Sequence, residues 1–198
     1  MDDKKLLRKQ YLAKRNELSE EERAAKSKAI WEQLFTLPLW EQADCILLYG
    51  NYKSEVITKD YIQRLLQENK KRLYFPLVEG ADIAFYQIKD MQNFMEGYQG
   101  IPEPNPQSNL PVFEKKSSNC LIIAPGTVFD EDGGRIGYGK GFYDRFFMKY
   151  PDIPVIALAF ECQMAPSVPM QMHDRRMNQI ITEKRIIECK SLSDTGGN

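Results

Sequence analysis

From Gly133 to Asp144 the chain reads Gly-Gly-Arg-Ile-Gly-Tyr-Gly-Lys-Gly-Phe-Tyr-Asp, and five of its 12 glycines fall within nine positions of this stretch. Glycine is needed where φ is positive or where backbone must approach a ligand closely. A run of glycines leading into a helix presents several N–H groups and a positive dipole end, which together bind phosphate. Lys140 adds a point charge at that place, and Arg135 offers a planar fork to phosphate oxygens. Asp144, one turn into the helix, is a carboxylate that would hold Mg²⁺ against a polyphosphate. The competing reading is a tight turn with a solvated lysine and arginine, because the stretch is neither a Walker A pattern nor a G-x-G-x-x-G opening after a strand. Glycine density, two cations and a following acid favour the phosphate site.

Three other places carry chemistry-bearing residues. Lys4 and Arg8 stand at i, i+4, as do Lys5 and Lys9, and like charges so placed cost a few tenths of a kcal/mol in an isolated helix. A bound anion would turn that repulsion into attraction; a solvated basic face compensated by Asp2 and Asp3 is the alternative. Glu55, in Asn51-Tyr52-Lys53-Ser54-Glu55, either pairs with a polar ring or amine of a substrate or belongs to the cap of the following helix. Asp174 is a candidate second carboxylate for the cation, while its neighbour His173 orients it or lies on the surface.

Elements must bring these residues together. The pattern predicts a helix over 4–17, with Leu6, Leu7, Tyr11 and Leu18 as its apolar stripe. Ser19 followed by Glu22 is a capping-box signature for a second helix over 20–35, ended by Pro38. Thr58 is placed to cap a third helix reaching Asn69. Residues 45–49, 120–124 and 155–160 are apolar runs without alternation, as expected of strands buried on both faces. Further strands are expected at 72–77, 83–88 and 179–182, a helix at 141–150, and a proline-punctuated loop at 97–116. Buried strands separated by helices predict an α/β fold: a single three-layer domain over 1–190, with a largely parallel central sheet and helices on both faces. Residues 191–198 read as a flexible tail. Ligands of such folds bind beyond the carboxyl ends of the strands, so the loops 50–55, 125–140 and 161–174 should converge.

Composition excludes other chemistry. One histidine cannot build a zinc site of several imidazoles, and the four cysteines never approach C-x-x-C spacing. Scattered cysteines without a signal peptide predict reduced thiols in a cytoplasmic protein. No run reaches the ~18 apolar residues of a membrane span. Lys+Arg 27 against Asp+Glu 28 gives a net charge of −1, so no global field recruits nucleic acid or an acidic membrane. Small molecules are the expected partners, and a monomer the expected state.

Lys4-Lys5-Leu6-Leu7-Arg8, Asn51–Glu55, Ile101-Pro102-Glu103-Pro104 and Pro125-Gly126-Thr127-Val128-Phe129-Asp130, running into the segment from Arg135 to Asp144, resemble the 5-formyltetrahydrofolate cyclo-ligase family in order and spacing. The resemblance implies ATP-dependent closure of 5-formyltetrahydrofolate to 5,10-methenyltetrahydrofolate, releasing ADP and phosphate, with Mg²⁺ as cofactor. In that family the formyl oxygen is phosphorylated, N10 attacks the activated carbon and phosphate departs. By position, the resemblance implies ATP contacts for Lys4, Lys5, Arg8, Arg135, Gly137, Tyr138, Gly139, Lys140, Gly141, Phe142 and Tyr143. It implies Mg²⁺ ligation by Asp144 and Asp174, and folate contacts for Glu55, Gly50 and Tyr143. Tyr98 falls where the family covers its folate. The family often carries a basic residue where this chain has Tyr138. Two other classes remain: a nucleotide-binding regulatory module without turnover, and a sugar-phosphate isomerase or acyl-CoA transferase on a similar scaffold.

Overall fold

Apolar residues that run without alternation need cover on both sides, and the sheet supplies it. The computed structural model describes residues 3–97, 101–115, 119–171 and 174–189; Tyr98, His173 and the segment 191–198 lie outside them. Three helices come first: α1 (Asp3–Asn16), α2 (Glu20–Phe35) and the short α3 (Pro38–Gln42). Then follow β1 (Cys45–Leu47), α4 (Lys59–Glu68), β2 (Arg72–Glu79) and β3 (Asp82–Ile88). The middle holds β4 (Phe94–Glu96) and β5 (Pro102–Pro104). The second half contains β6 (Cys120–Ala124), β7 (Val128–Phe129), β8 (Arg135–Ile136), α5 (Phe142–Lys149), β9 (Val155–Leu158), β10 (Gln179–Ile181) and β11 (Ile186–Glu188).

Seven of these strands form one sheet in the order β11-β10-β9-β6-β1-β2-β3. The five inner strands are parallel, and β3 and β11 are antiparallel edges. Ile46, Leu121, Ile123, Ile156 and Ile181 face one way, into a core closed by α2, α3 and α4. Cys45, Leu47, Ile122, Val155 and Ile180 face the other way, toward Phe146 and Phe147 of α5. The three-layer α/β architecture is therefore as expected.

The chain moves from β1 outward to β2, then returns to place β6 on the other side of β1. Successive connections thus diverge beyond the carboxyl ends of β1 and β6, which opens the crevice where ligands of such sheets bind.

Of the local expectations, one holds and others change. Ser19 Oγ accepts from the Glu22 amide (3.1 Å) while Ser19 N–H donates to Glu22 Oε2 (2.9 Å), so the capping box forms. Pro38 opens α3 at its first position, where its missing N–H costs no helical bond. Thr58 occupies the cap position of α4 without bonding a helical amide. Its hydroxyl donates to the Tyr49 carbonyl (2.8 Å) and accepts from the Asn51 amide (3.0 Å), fixing the loop after β1. The 97–116 region is no plain loop either, since β4 and β5 pair as an antiparallel hairpin. The sheet ends on β11 rather than on β10.

The expected stripe of the first helix holds at Leu7, Tyr11 and Leu18 but not at Leu6. Leu6 is 55% exposed, whereas Tyr11 and Arg15 are buried. Positions 4, 8, 11 and 15 lie within about 60° on the helical wheel, so the inward face is cationic and aromatic. Tyr11 packs there on Val128 and Ile136.

Candidate functional site

A cavity of about 690 Å³ occupies the crevice beyond β1 and β6. One wall is the glycine-rich segment between β8 and α5. Gly139 has φ +97° and Gly141 φ +69°, the left-handed region that a β-carbon penalises. Those two residues turn the chain so that Gly141 opens α5 at its amino end. Gly137, Tyr138, Gly139, Lys140, Phe142 and Tyr143 all line the cavity.

The inward face of α1 adds to the same lining. Lys4 and Arg8 both reach the cavity; Arg8 Nε donates to the Gly137 carbonyl (2.8 Å), and Lys4 is ion-paired with Asp174. That pairing, which the sequence did not suggest, offsets the repulsion within α1. Lys5 does not line the cavity and is exposed. It sits about 100° around the helix from Lys4, so its expected nucleotide contact finds no geometric support. The 161–174 loop divides: Asp174 lines this cavity, while Glu161 lies in a separate depression with Glu131 and Arg185.

Arg135 takes a different part from a free phosphate fork. Its side chain is only 4% exposed, and Nη2 donates to Asp144 Oδ1 (2.5 Å) while Nη1 donates to the Pro125 carbonyl (3.1 Å). Its guanidinium also lies over the rings of Tyr143 (5.6 Å) and Phe147 (5.3 Å). Arg135 therefore fixes the wall and aims Asp144, leaving Lys4, Arg8 and Lys140 as the more accessible cations.

Asp144 and Asp174 line one cavity, and carboxylate oxygens suit a hard cation such as Mg²⁺. Among the described residues no group of three or more His, Cys, Asp or Glu could hold a metal. A pair of carboxylates fits an ion that keeps several waters and takes its remaining ligands from substrate phosphates.

A second part of the lining is apolar, made by Pro76, Val78, Ile83 and Ile101 with Phe142. Pro76, Val78 and Ile83 come from β2 and β3, Ile101 immediately precedes β5, and Phe142 begins α5. Gly50 allows this closure, because a β-carbon there would meet the Pro102 carbonyl at 3.2 Å and Ile101 Cγ2 at 3.3 Å.

Glu55 belongs to the same lining and is 4% exposed. Its Oε2 accepts from the Tyr52 amide (2.8 Å), so it caps its own loop and not α4. Burial pushes its carboxyl up to about 7, against the opposing pull of Arg15, the Tyr52 amide and the Tyr138 hydroxyl. Burial, and then the Glu55 charge, raise the phenols of Tyr138 and Tyr143 above their usual range. Tyr143 Oη is buried without a hydrogen-bond partner among the described residues. Tyr52, whose ring meets that of Tyr138 edge-on at 5.8 Å, joins the cavity wall. It was legible in sequence only as a neighbour of Glu55.

The family model of the 5-formyltetrahydrofolate cyclo-ligase family matches residues 1–183. The chain belongs to the 5-formyltetrahydrofolate cyclo-ligase family. It is an enzyme of that family. A probable 5-formyltetrahydrofolate cyclo-ligase of Schizosaccharomyces pombe is 28% identical over 178 residues, covering 82% of this chain and 86% of the relative. A 5-formyltetrahydrofolate cyclo-ligase of Haemophilus influenzae is 33% identical over 141 residues, covering 67% and 72%. The solved 5,10-methenyltetrahydrofolate synthetase of Aquifex aeolicus superposes with a TM-score of 0.82 at 31% identity, covering 95% of this chain and 93% of that one. Among the described residues of this cyclo-ligase-family chain, no helix is long and apolar enough to cross a membrane.

Proposed function

We propose that the chain closes 5-formyltetrahydrofolate to 5,10-methenyltetrahydrofolate at the expense of ATP, releasing ADP and phosphate with Mg²⁺ as cofactor. The observation that carries this reading is a single cavity whose lining combines a cationic, glycine-rich segment, a set of apolar residues and the buried acid Glu55. A nucleotide-binding module without turnover has no use for the apolar set. In this reading the protein works on small molecules as a cytoplasmic monomer, without nucleic-acid or membrane partners, and residues 1–190 act as one domain.

The triphosphate lies along the backbone amides of residues 137–141, with Lys4, Arg8 and Lys140 neutralising its oxygens. Asp144 and Asp174 would hold Mg²⁺, which when bound would supply charge neutralisation on the phosphates. The folate ring lies against the apolar part of the lining, and Glu55 accepts from its polar edge. The formyl oxygen attacks the γ-phosphorus and ADP leaves. N10 then attacks the activated formyl carbon and loses its proton. Phosphate departs with the former formyl oxygen, leaving the N5–CH–N10 bridge. Such chemistry asks the protein chiefly for alignment and charge neutralisation, which suits a site walled by backbone amides and lysines. The Tyr143 hydroxyl, without a hydrogen-bond partner among the described residues, belongs to a residue of the cavity lining and donates to the bound substrates.

A coupled assay tests this. Methenyl product, followed by its absorbance, should appear in a one-to-one ratio with ADP and only when ATP, Mg²⁺ and 5-formyltetrahydrofolate are all present. ATP-induced thermal stabilisation without any methenyl product would overturn the reading in favour of a binding module.

A further inference from the structure

Arg15 is 1% exposed and stands behind the cavity, not in its lining. From α1 it reaches three of the segments that build the site. Nε donates to Ser54 Oγ (3.1 Å), Nη1 to the Gly126 carbonyl (3.1 Å) and Nη2 to Tyr138 Oη (2.5 Å). These partners belong respectively to the loop after β1, the loop after β6 and the glycine-rich segment. We propose that Arg15 is a positioning residue that ties the nucleotide wall to the folate acid, holding the Tyr138 hydroxyl so that it donates to Glu55. The inference rests on the folate and ATP assignments made above.

The chemistry of the hydroxyl supports it. A phenol has one proton, and its oxygen is already an acceptor for Arg15, so its own proton is free to go to another group. Glu55 is hydrogen-bonded to that phenol. The groups that face Glu55 are Arg15 from α1, the Tyr52 amide of its own loop, Tyr138 of the glycine-rich segment, and Tyr49 and Tyr143. Arg15 is the cation among them, so it holds the carboxyl below the value that burial alone would impose.

The other partners of Arg15 have support of their own. The Gly126 carbonyl also accepts from Gln163 Nε2 (2.9 Å), and Ser54 Oγ donates to Asn16 Oδ1. What Arg15 alone supplies is the charge and the clamp on Tyr138. Lysine would keep the charge but lacks the planar fork that reaches three acceptors.

The test titrates Glu55 directly, using ¹³C-labelled glutamate carboxyls in the ligand-free protein with the resonance assigned by its loss in Glu55→Gln. In Arg15→Met the midpoint should rise by about one unit, the scale expected when an opposite charge is removed. Tyr138→Phe should also raise it, and the double variant should rise little beyond Arg15→Met. Arg15→Lys should recover part of the shift. The pH limb of kcat/KM for 5-formyltetrahydrofolate should move upward with the midpoint, and the folate KM should rise more than the ATP KM. An unmoved midpoint in folded Arg15→Met would overturn the proposal; where that variant fails to fold, an unmoved midpoint in Tyr138→Phe does so. A wild-type protein that forms no methenyl product would instead reject the functional reading, since the titration needs no turnover.

Discussion

Replacing Glu55 by glutamine should make the protein more stable at pH 8 while weakening its grip on folate. Glu55 is buried, and its carboxyl rises from the usual 4.5 to about 7 on folding. A group held at a raised value in the folded state binds more protons there than in the unfolded chain. Its favourable contribution is therefore complete below pH 4.5 and is lost as the pH climbs through 7. The gap of roughly 2.5 units corresponds to about 3 kcal/mol at alkaline pH. Glutamine still accepts from the Tyr52 amide but never ionises, so Glu55→Gln escapes this cost. For a chain of this size, 1 kcal/mol moves Tm by about 2–4 °C, so the variant should melt roughly 6–12 °C higher at pH 8. The difference should shrink toward zero near pH 4.5. Thermal unfolding of both proteins across that range measures it, and other titrating groups largely cancel in the comparison. A difference independent of pH, or a wild type more stable at pH 8, would refute the reasoning. Parallel kinetics should show the folate KM rising more than the ATP KM; equal rises would mean that Glu55 does not meet the folate.

Lys140 is exposed at the cavity rim, so Lys140→Ala should raise the ATP KM or lower kcat at least tenfold, with stability changed by no more than about 0.5 kcal/mol; normal kinetics in the folded variant would remove Lys140 from the nucleotide site. Asp144→Asn should raise the Mg²⁺ concentration needed for half-maximal activity, and chelation should abolish wild-type turnover until Mg²⁺ is restored. An unchanged Mg²⁺ dependence in Asp144→Asn would leave Asp144 as a partner of Arg135 only.

Much of the site was legible because its requirements are local. A glycine that must adopt positive φ, a lysine beside it and an acid one turn later are adjacent in the chain, so 137–144 could be recognised as one unit. The apolar runs at 45–49, 120–124 and 155–160 declared double-sided burial through composition alone. The weaker expectations were those where one side chain had alternative partners within reach. Glu55 is well placed in sequence to cap α4, and only the position of the Tyr52 amide and the Tyr138 hydroxyl shows where its carboxyl goes. The expected stripe holds at Leu7 and Tyr11 but not at Leu6, and α1 also turns Lys4, Arg8 and Arg15 inward because carboxylate and carbonyl partners from distant loops meet them there.

The amino-acid sequence by itself determined the fold class, the family and the glycine-rich, cationic character of the 133–144 segment, since each depends on residue types at short spacing. Tertiary structure decided which charges are spent on the protein and which face the cavity. Arg135 is committed to Asp144 and Pro125 and Arg15 to three loops at once, whereas Lys4 pairs with Asp174 and still lines the cavity. Those partners are separated by up to 170 residues, and a hydrogen bond is settled by distance in space. Burial likewise sets the raised pKa of Glu55, because desolvation is a property of what surrounds a carboxyl and not of the residues that flank it in the chain.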